Sequence, residues 1–366
     1  MIVKIKAVIN KQMVDSGEKL SHIQLTYPEN IKMPTSQNFK VKWNENNLKL
    51  SKIKKVSHNI IHLYLDDLTQ NLHTFTFIES RFVNEFIPMA FEIKQLGTVE
   101  LENGQIMMSD SFQFEVEIKE LLLREAFKPY HFRSQMPYCL YNSGTGKQKP
   151  LVIFLHGSGE RGNNHLLPLL CNDVPLTYLK YAKEVEDAVI LIPQAPWDSQ
   201  IGAWCFADVV ATLTELIQYI MEIHQIDKSR VYLSGLSNGA AGTWNLMLEQ
   251  PHLCAAAITV CGYIHTQRKS ESKTIEGAVY TEMAQQQVEK IKQIPVWVFH
   301  GADDPVVSVL GARSVVAALR QAGSENVKYT EYQAGTVKPN AHASWEPAFN
   351  EKDLLPWLFS QKRHLV

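Results

Sequence analysis

Gly235-Leu236-Ser237-Asn238-Gly239 is the segment whose residue types and spacing could do chemistry. It fits G-x-S-x-G, follows the strand-like Arg230-Val231-Tyr232-Leu233 and precedes a helix-compatible stretch at 240–249. Glycines on both sides permit a sharp strand-to-helix turn, which lifts a serine hydroxyl into an exposed, strained position at the end of a sheet. The helix start then aims its amides at the reacting centre. A Gly/Ser turn alone is common, and the strand-turn-helix context is what favours a nucleophile at Ser237.

A serine hydroxyl needs a base, and the base needs a third group to fix its tautomer. The useful test is whether an acid and a histidine follow in that order, each just after an expected strand. The apolar run 296–299 leads into His300-Gly301-Ala302-Asp303-Asp304-Pro305, which puts two carboxylates at the mouth of a strand. The next strand candidate, 327–332, leads into Asn340-Ala341-His342-Ala343-Ser344-Trp345. Among the later histidines only His342 follows both the acid and one further strand. His252, His265 and His364 fall in other places, and His300 fits a side chain that hydrogen-bonds the acid's loop.

Acyl transfer also needs donors for an oxyanion, each worth roughly 2.7–4 kcal/mol of transition-state stabilisation. The backbone N–H of Asn238 is the first candidate. The run 151–155 leads into His156-Gly157-Ser158-Gly159-Glu160-Arg161-Gly162, whose glycines let backbone approach a substrate, and the Ser158 N–H is the second. A phosphate loop would be followed by a Lys-Ser/Thr pair, and none follows. Glu160 and Arg161 fit an ion pair that shapes the loop better than they fit catalytic charges. Trp197, Trp204 and Trp345 are candidates to line an acyl or alcohol pocket, Trp345 being favoured by its place three residues from His342.

Two textures surround these motifs, and they change near residue 120. Before it, Phe39, Val41 and Trp43 alternate with lysines, and Phe112, Phe114, Val116 and Ile118 alternate with polar residues, as half-buried strands do. Turn signals at Asn44-Glu45-Asn46-Asn47 and Asn103-Gly104 separate them. A small antiparallel β-sandwich is expected over 1–120, with a linker at 121–135. Over 136–366, apolar runs at 151–155, 188–192, 231–233, 255–260 and 296–299 suit strands covered on both faces. Val209, Leu213, Leu216, Ile217 and Ile220 recur at helical spacing between two of them. A βαβ series and a mostly parallel sheet follow.

The chain has 366 residues, too many for one ordinary core, and a formal net charge of -2, which leaves no broad positive field for nucleic acid or an anionic membrane. No segment approaches the roughly 20 apolar residues of a membrane span. No run of signal-peptide length stands behind Met1, so a cytoplasmic location is expected. Five cysteines without a C-x-x-C pair support neither zinc nor a disulfide framework, and no cofactor or metal is expected. The partners expected are a small-molecule ester and, beyond it, only further copies of the chain.

Together these segments resemble bacterial esterases related to the phospholipase/carboxylesterase family, often labelled predicted peptidases, some with an N-terminal immunoglobulin-like domain. The resemblance covers roughly residues 130 to 360. It rests on the 156–162 motif, on Ile226 to Ser237, on Gly242-Thr243-Trp244, on His300 to Val307 and on His342-Ala343-Ser344-Trp345. It implies an α/β-hydrolase fold, a nucleophile at Ser237, an acid at Asp304, a base at His342 and oxyanion donors at Ser158 and Asn238. Relatives usually have Met-Gly-Gly after the serine where this chain has Asn238-Gly239-Ala240, and the side chain of residue 238 is expected to point near the pocket, so the relatives' acyl preference does not carry over.

The activity implied is hydrolysis of short-chain acyl esters through an acyl-enzyme, without a cofactor. A peptidase or a polysaccharide acetyl or feruloyl esterase would use the same triad. A carbohydrate-binding or scaffold protein would need a broken triad, and here all three members are present. The segment 263–293 is rich in Gln, Glu, Lys, Ser and Thr, which fits a water-facing rim or lid better than a lipid-binding one.

Overall fold

The computed structural model describes residues 2–144, 146–196, 203–264 and 285–364. The chain divides into two units, Met1–Thr76 with Glu85–Glu125, and Phe77–Asn84 with Ala126–Val366.

In the first unit a five-stranded sheet runs in the order Phe112–Ile118, Val3–Val14, Gly17–Thr26, Ile60–Leu65, Leu50–Ser57. A three-stranded sheet holds Asn46–Leu48, Phe39–Trp43 and Phe91–Gln95. The alternation in Phe39–Trp43 is real: Phe39, Val41 and Trp43 point into one core with Ile5, Ile9, Ile23 and Leu63 of the other sheet. Asn44 has φ 52, the left-handed turn value that asparagine tolerates. The pairing is not wholly antiparallel as expected, because Val3–Val14 lies parallel to Phe112–Ile118. The first and last strands of the unit are neighbours, a long-range relation that alternation cannot encode.

The second unit is built on an eight-stranded sheet: β1 Lys128–Phe132, β2 Met136–Tyr141, β3 Leu151–Leu155, β4 Val189–Pro193, β5 Val231–Leu236, β6 Ala256–Val260, β7 Val296–Gly301 and β8 Val327–Tyr332. Their spatial order is β1-β2-β4-β3-β5-β6-β7-β8. β1 and β2 are antiparallel to their neighbours, and every pair from β4 to β8 is parallel. The uniformly apolar runs are the parallel strands, and β3, β4 and β6 are buried along their whole length. Helix Ala207–Ile223 lays Val209, Leu213, Leu216, Ile217 and Ile220 against the sheet, as the spacing requires. Helix Asn238–Glu249 is buried through most of its length, so the segment after Ser237 runs through the interior.

The stretch expected as a linker at 121–135 is not one. It contains a short helix, Leu122–Ala126, and β1, which pairs with β2 over five residues. β1 is an edge strand with four of its five residues exposed, so no apolar pattern marks it. Among the described residues no helix is long and apolar enough to cross a membrane.

Candidate active site

Ser237 stands at the end of β5 with φ 52 and ψ -120, and its N–H is donated to Val260 O at 2.8 Å. The glycines around it are sterically required. A Cβ on Gly239 would lie 1.9 Å from Leu155 O, and one on Gly235 would lie 2.2 Å from Gly239 O. β3, β5 and the helix start therefore approach more closely than any side chain allows, which is what forces the sharp turn.

The carboxyl ends of β7 and β8 bring the other groups to this point. His342 Nδ1 lies 2.8 Å from Asp304 Oδ2, and His342 Nε2 lies 3.1 Å from Ser237 Oγ. An ionised carboxylate only accepts, so Nδ1 carries the ring proton and Nε2 is left as an acceptor for the serine hydroxyl. Asn340 Oδ1 accepts the His342 N–H at 3.0 Å and sets the short turn that presents the ring. The Asp304 side chain is fully buried; its Oδ1 accepts the N–H groups of Val306 and Val307, and its Oδ2 also faces His300 Nε2 at 3.2 Å. Burial alone would raise this carboxyl, but the hydrogen bonds of His300 and His342 outweigh it and hold it far below the ordinary carboxylate range. Asp303 is exposed and accepts the Gly335 N–H at 2.9 Å, away from His342.

The 156–162 loop is fixed by His156, which is fully buried. Its Nε2 accepts the Ala195 N–H at 2.9 Å, so its Nδ1 carries the proton and donates to Gly157 O at 2.6 Å. Burial pulls this imidazole down to about 3, which keeps it neutral in that role. A Cβ on Gly157 would come within 3.6 Å of Ser237 Cβ, so the loop passes beside Ser237 and carries the buried Ser158 with it. Asn238 is the first residue of the following helix. Glu160 is buried, and desolvation raises its carboxyl to about 7. Arg161, also buried, donates to Ser158 O at 2.8 Å and to Arg81 O and Phe82 O at 3.1 Å each. The two charges shape the loop chiefly through backbone groups rather than as the mutual pair expected.

Two expectations about the pocket need correction. Trp204, a candidate substrate wall, is fully buried; its indole N–H donates to His156 O at 2.9 Å and its ring packs on His156. The Asn238 side chain does not face an acyl pocket. It is 1% exposed, accepts the Trp204 N–H at 3.2 Å and donates to the Tyr263 hydroxyl at 3.0 Å. Trp345 sets its ring edge-on to His342, centroids 5.6 Å apart. Trp197 and residues 265–284 of the expected rim lie outside the described residues.

Cys261 sits with Asp304 and His342 in a group whose ligand atoms lie within 4.8 Å of one another. Burial pushes its thiol well above the ordinary range. The carboxylate and imidazole atoms that would face a metal there are already bonded to each other at 2.8 Å, which fits a triad better than a metal centre.

A thermostable esterase of known structure superposes with a TM-score of 0.76 and 25% identity, over 99% of this chain and all of that one. This is the α/β-hydrolase fold. The prolyl oligopeptidase family matches residues 195–336, which contain Ser237 and Asp304 but not His342. A ferulic acid esterase aligns with 61% of this chain and 91% of its own, at 16% identity and a TM-score of 0.46. An uncharacterised secreted protein of Arthroderma benhamiae is 25% identical over 247 residues, 60% of this chain. The chain spans only 26% of that relative's length. The family match over 195–336, together with this fold, supports a hydrolase of the serine type.

Proposed function

We propose that the chain is a carboxylesterase acting on short-chain acyl esters, with Ser237 as nucleophile, His342 as general base and Asp304 as the acid that orients it. The observation that carries this reading is the single imidazole that bonds Asp304 with one nitrogen and Ser237 with the other, at 2.8 and 3.1 Å. Ser237 Oγ attacks the ester carbonyl while its proton passes to His342 Nε2. The N–H groups of Ser158 and Asn238 receive the oxyanion, and the imidazolium is stabilised by Asp304. His342 then returns the proton to the departing alkoxide, leaving an acyl-serine. Water, deprotonated by the same nitrogen, attacks that acyl group, and His342 returns the proton to Ser237 Oγ as its bond to the acyl carbon breaks, releasing the acid and the free serine.

The structural relative's description as an esterase supports ester over amide cleavage. The prolyl oligopeptidase match favours a peptidase as the second reading. The polar composition of 263–293 argues for a water-facing rim and so for soluble, short-chain esters. Each methylene fitted into an acyl pocket contributes about 0.8 kcal/mol at most. Activity should therefore rise over the first few carbons and fall where the pocket ends. The experiment is kcat/KM on a p-nitrophenyl ester series from acetate to palmitate beside peptide amides. A maximum at short chains supports the proposal, and a maximum at palmitate or equal peptide cleavage overturns it.

A further inference from the structure

Residues 77–84 lie in the amino-terminal third of the sequence, yet they group with the hydrolase unit. They form a short turn, Glu79–Arg81, closed by Phe82 at φ 50. That left-handed value is uncommon for a bulky residue and marks a conformation held by its surroundings. The holding group is Arg161, whose Nη2 donates to both Arg81 O and Phe82 O while Nε of the same buried side chain donates to Ser158 O. One guanidinium thus joins this turn to the loop that passes the nucleophile.

The loop also brings the turn's rings close to the reaction. At its Gly157 end a side chain would meet Ser237; at its Gly159 end a Cβ would lie 2.9 Å from Asn84 Nδ2 and 3.8 Å from Phe77 Cε2. The two glycines are two residues apart, at most about 7 Å. Phe77 is 44% exposed and meets Phe82 edge-to-face, centroids 5.0 Å apart at 84°. Single exposed apolar side chains are ordinary on a surface. This one is packed on a strained neighbour that a buried cation anchors to the loop beside Ser237.

Resting on the reading of Ser237 as the nucleophile, we propose that the Phe77–Phe82 pair is the subsite for a flat aromatic group of the ester, making Phe77 a specificity-determining residue and Arg161 the positioning residue of that subsite. An ester whose carbonyl oxygen points to the Ser158 N–H extends past Gly159 toward these rings. Phe77, 44% exposed, leaves part of its ring open to a planar group on that path.

The test compares wild type, Phe77→Ala and Phe77→Leu on two matched pairs, benzyl acetate against hexyl acetate and methyl benzoate against methyl hexanoate. The aromatic-to-alkyl ratio of kcat/KM should fall about 3- to 10-fold in Phe77→Ala for one of the two pairs, through KM. Phe77→Leu, which keeps apolar bulk but no ring face, should lose most of the same ratio. The pair that responds identifies the ring-bearing side as alcohol or acyl. A ratio that stays put in both pairs and both variants, while the esters are hydrolysed and a fluorophosphonate labels Ser237, overturns the subsite and leaves the esterase reading standing. Failure of wild type to hydrolyse any of the four esters overturns both.

Discussion

Asp304 holds His342 Nδ1 and faces His300 Nε2 with one and the same oxygen, Oδ2, at 2.8 and 3.2 Å. His300 Nε2 also meets Val307 O at 3.0 Å, so that nitrogen is protonated and acts as a donor. A carboxylate with this many donors has one orientation, and the orientation of His342 follows from it.

Asp304→Asn should therefore lower kcat by about 10⁴-fold, the scale of tautomer loss in the best-studied triad. Asp303→Asn should cost far less, because Asp303 is exposed and serves the Gly335 N–H. Steady-state kinetics on a short ester decide between them, and a crippled Asp303→Asn beside an active Asp304→Asn would reverse the assignment.

Glu160 and His156 give the hydrolase unit opposed dependences on pH. The Glu160 carboxyl is raised from 4.5 to about 7, so its contribution is complete below about 4.5 and is lost as pH rises through about 7. The His156 imidazole is lowered from 6.5 to about 3, so its contribution is complete above about 6.5 and is lost as pH falls through about 3. In Glu160→Gln only the second remains, and Tm should climb more steeply with pH between about 4.5 and 6.5 than in wild type. Thermal melts across that range check it, and superimposable slopes would contradict it.

Asn238→Ala removes a buried strut rather than a pocket wall. The Trp204 N–H and the Tyr263 hydroxyl each lose a partner, so stability should fall by about 1–3 kcal/mol. The acyl length giving maximal kcat/KM should stay where it is. Denaturant unfolding read beside the ester series tests both halves, and a shift of the maximum by several carbons would put the Asn238 side chain in the acyl pocket after all.

What the sequence made legible was whatever repeats locally or must occur in order. The parallel strands were readable because burial on both faces leaves uninterrupted apolar runs, as in β3 and β6. Ser237 was marked by glycines that nothing larger could replace, and His342 by its place after one strand beyond the acid. β1 was missed because Lys128–Phe132 is an exposed edge with a proline and a histidine in it. Trp204 and Asn238 were misread for a different reason: residue type says that a side chain can line a pocket, while direction is set by partners distant in sequence. The same holds for Arg161, whose carbonyl partners at Arg81 and Phe82 lie some eighty residues earlier.

The central claim is that Ser237 forms a covalent acyl-enzyme with His342 as its base, and its most direct measurement is active-site labelling read by mass spectrometry. With a fluorophosphonate, one adduct per chain should appear on the peptide containing Ser237, turnover of a short ester should disappear in step with it, and both Ser237→Ala and His342→Ala should abolish the adduct. An adduct on any other residue, or full labelling of the Ser237→Ala protein, would contradict the account.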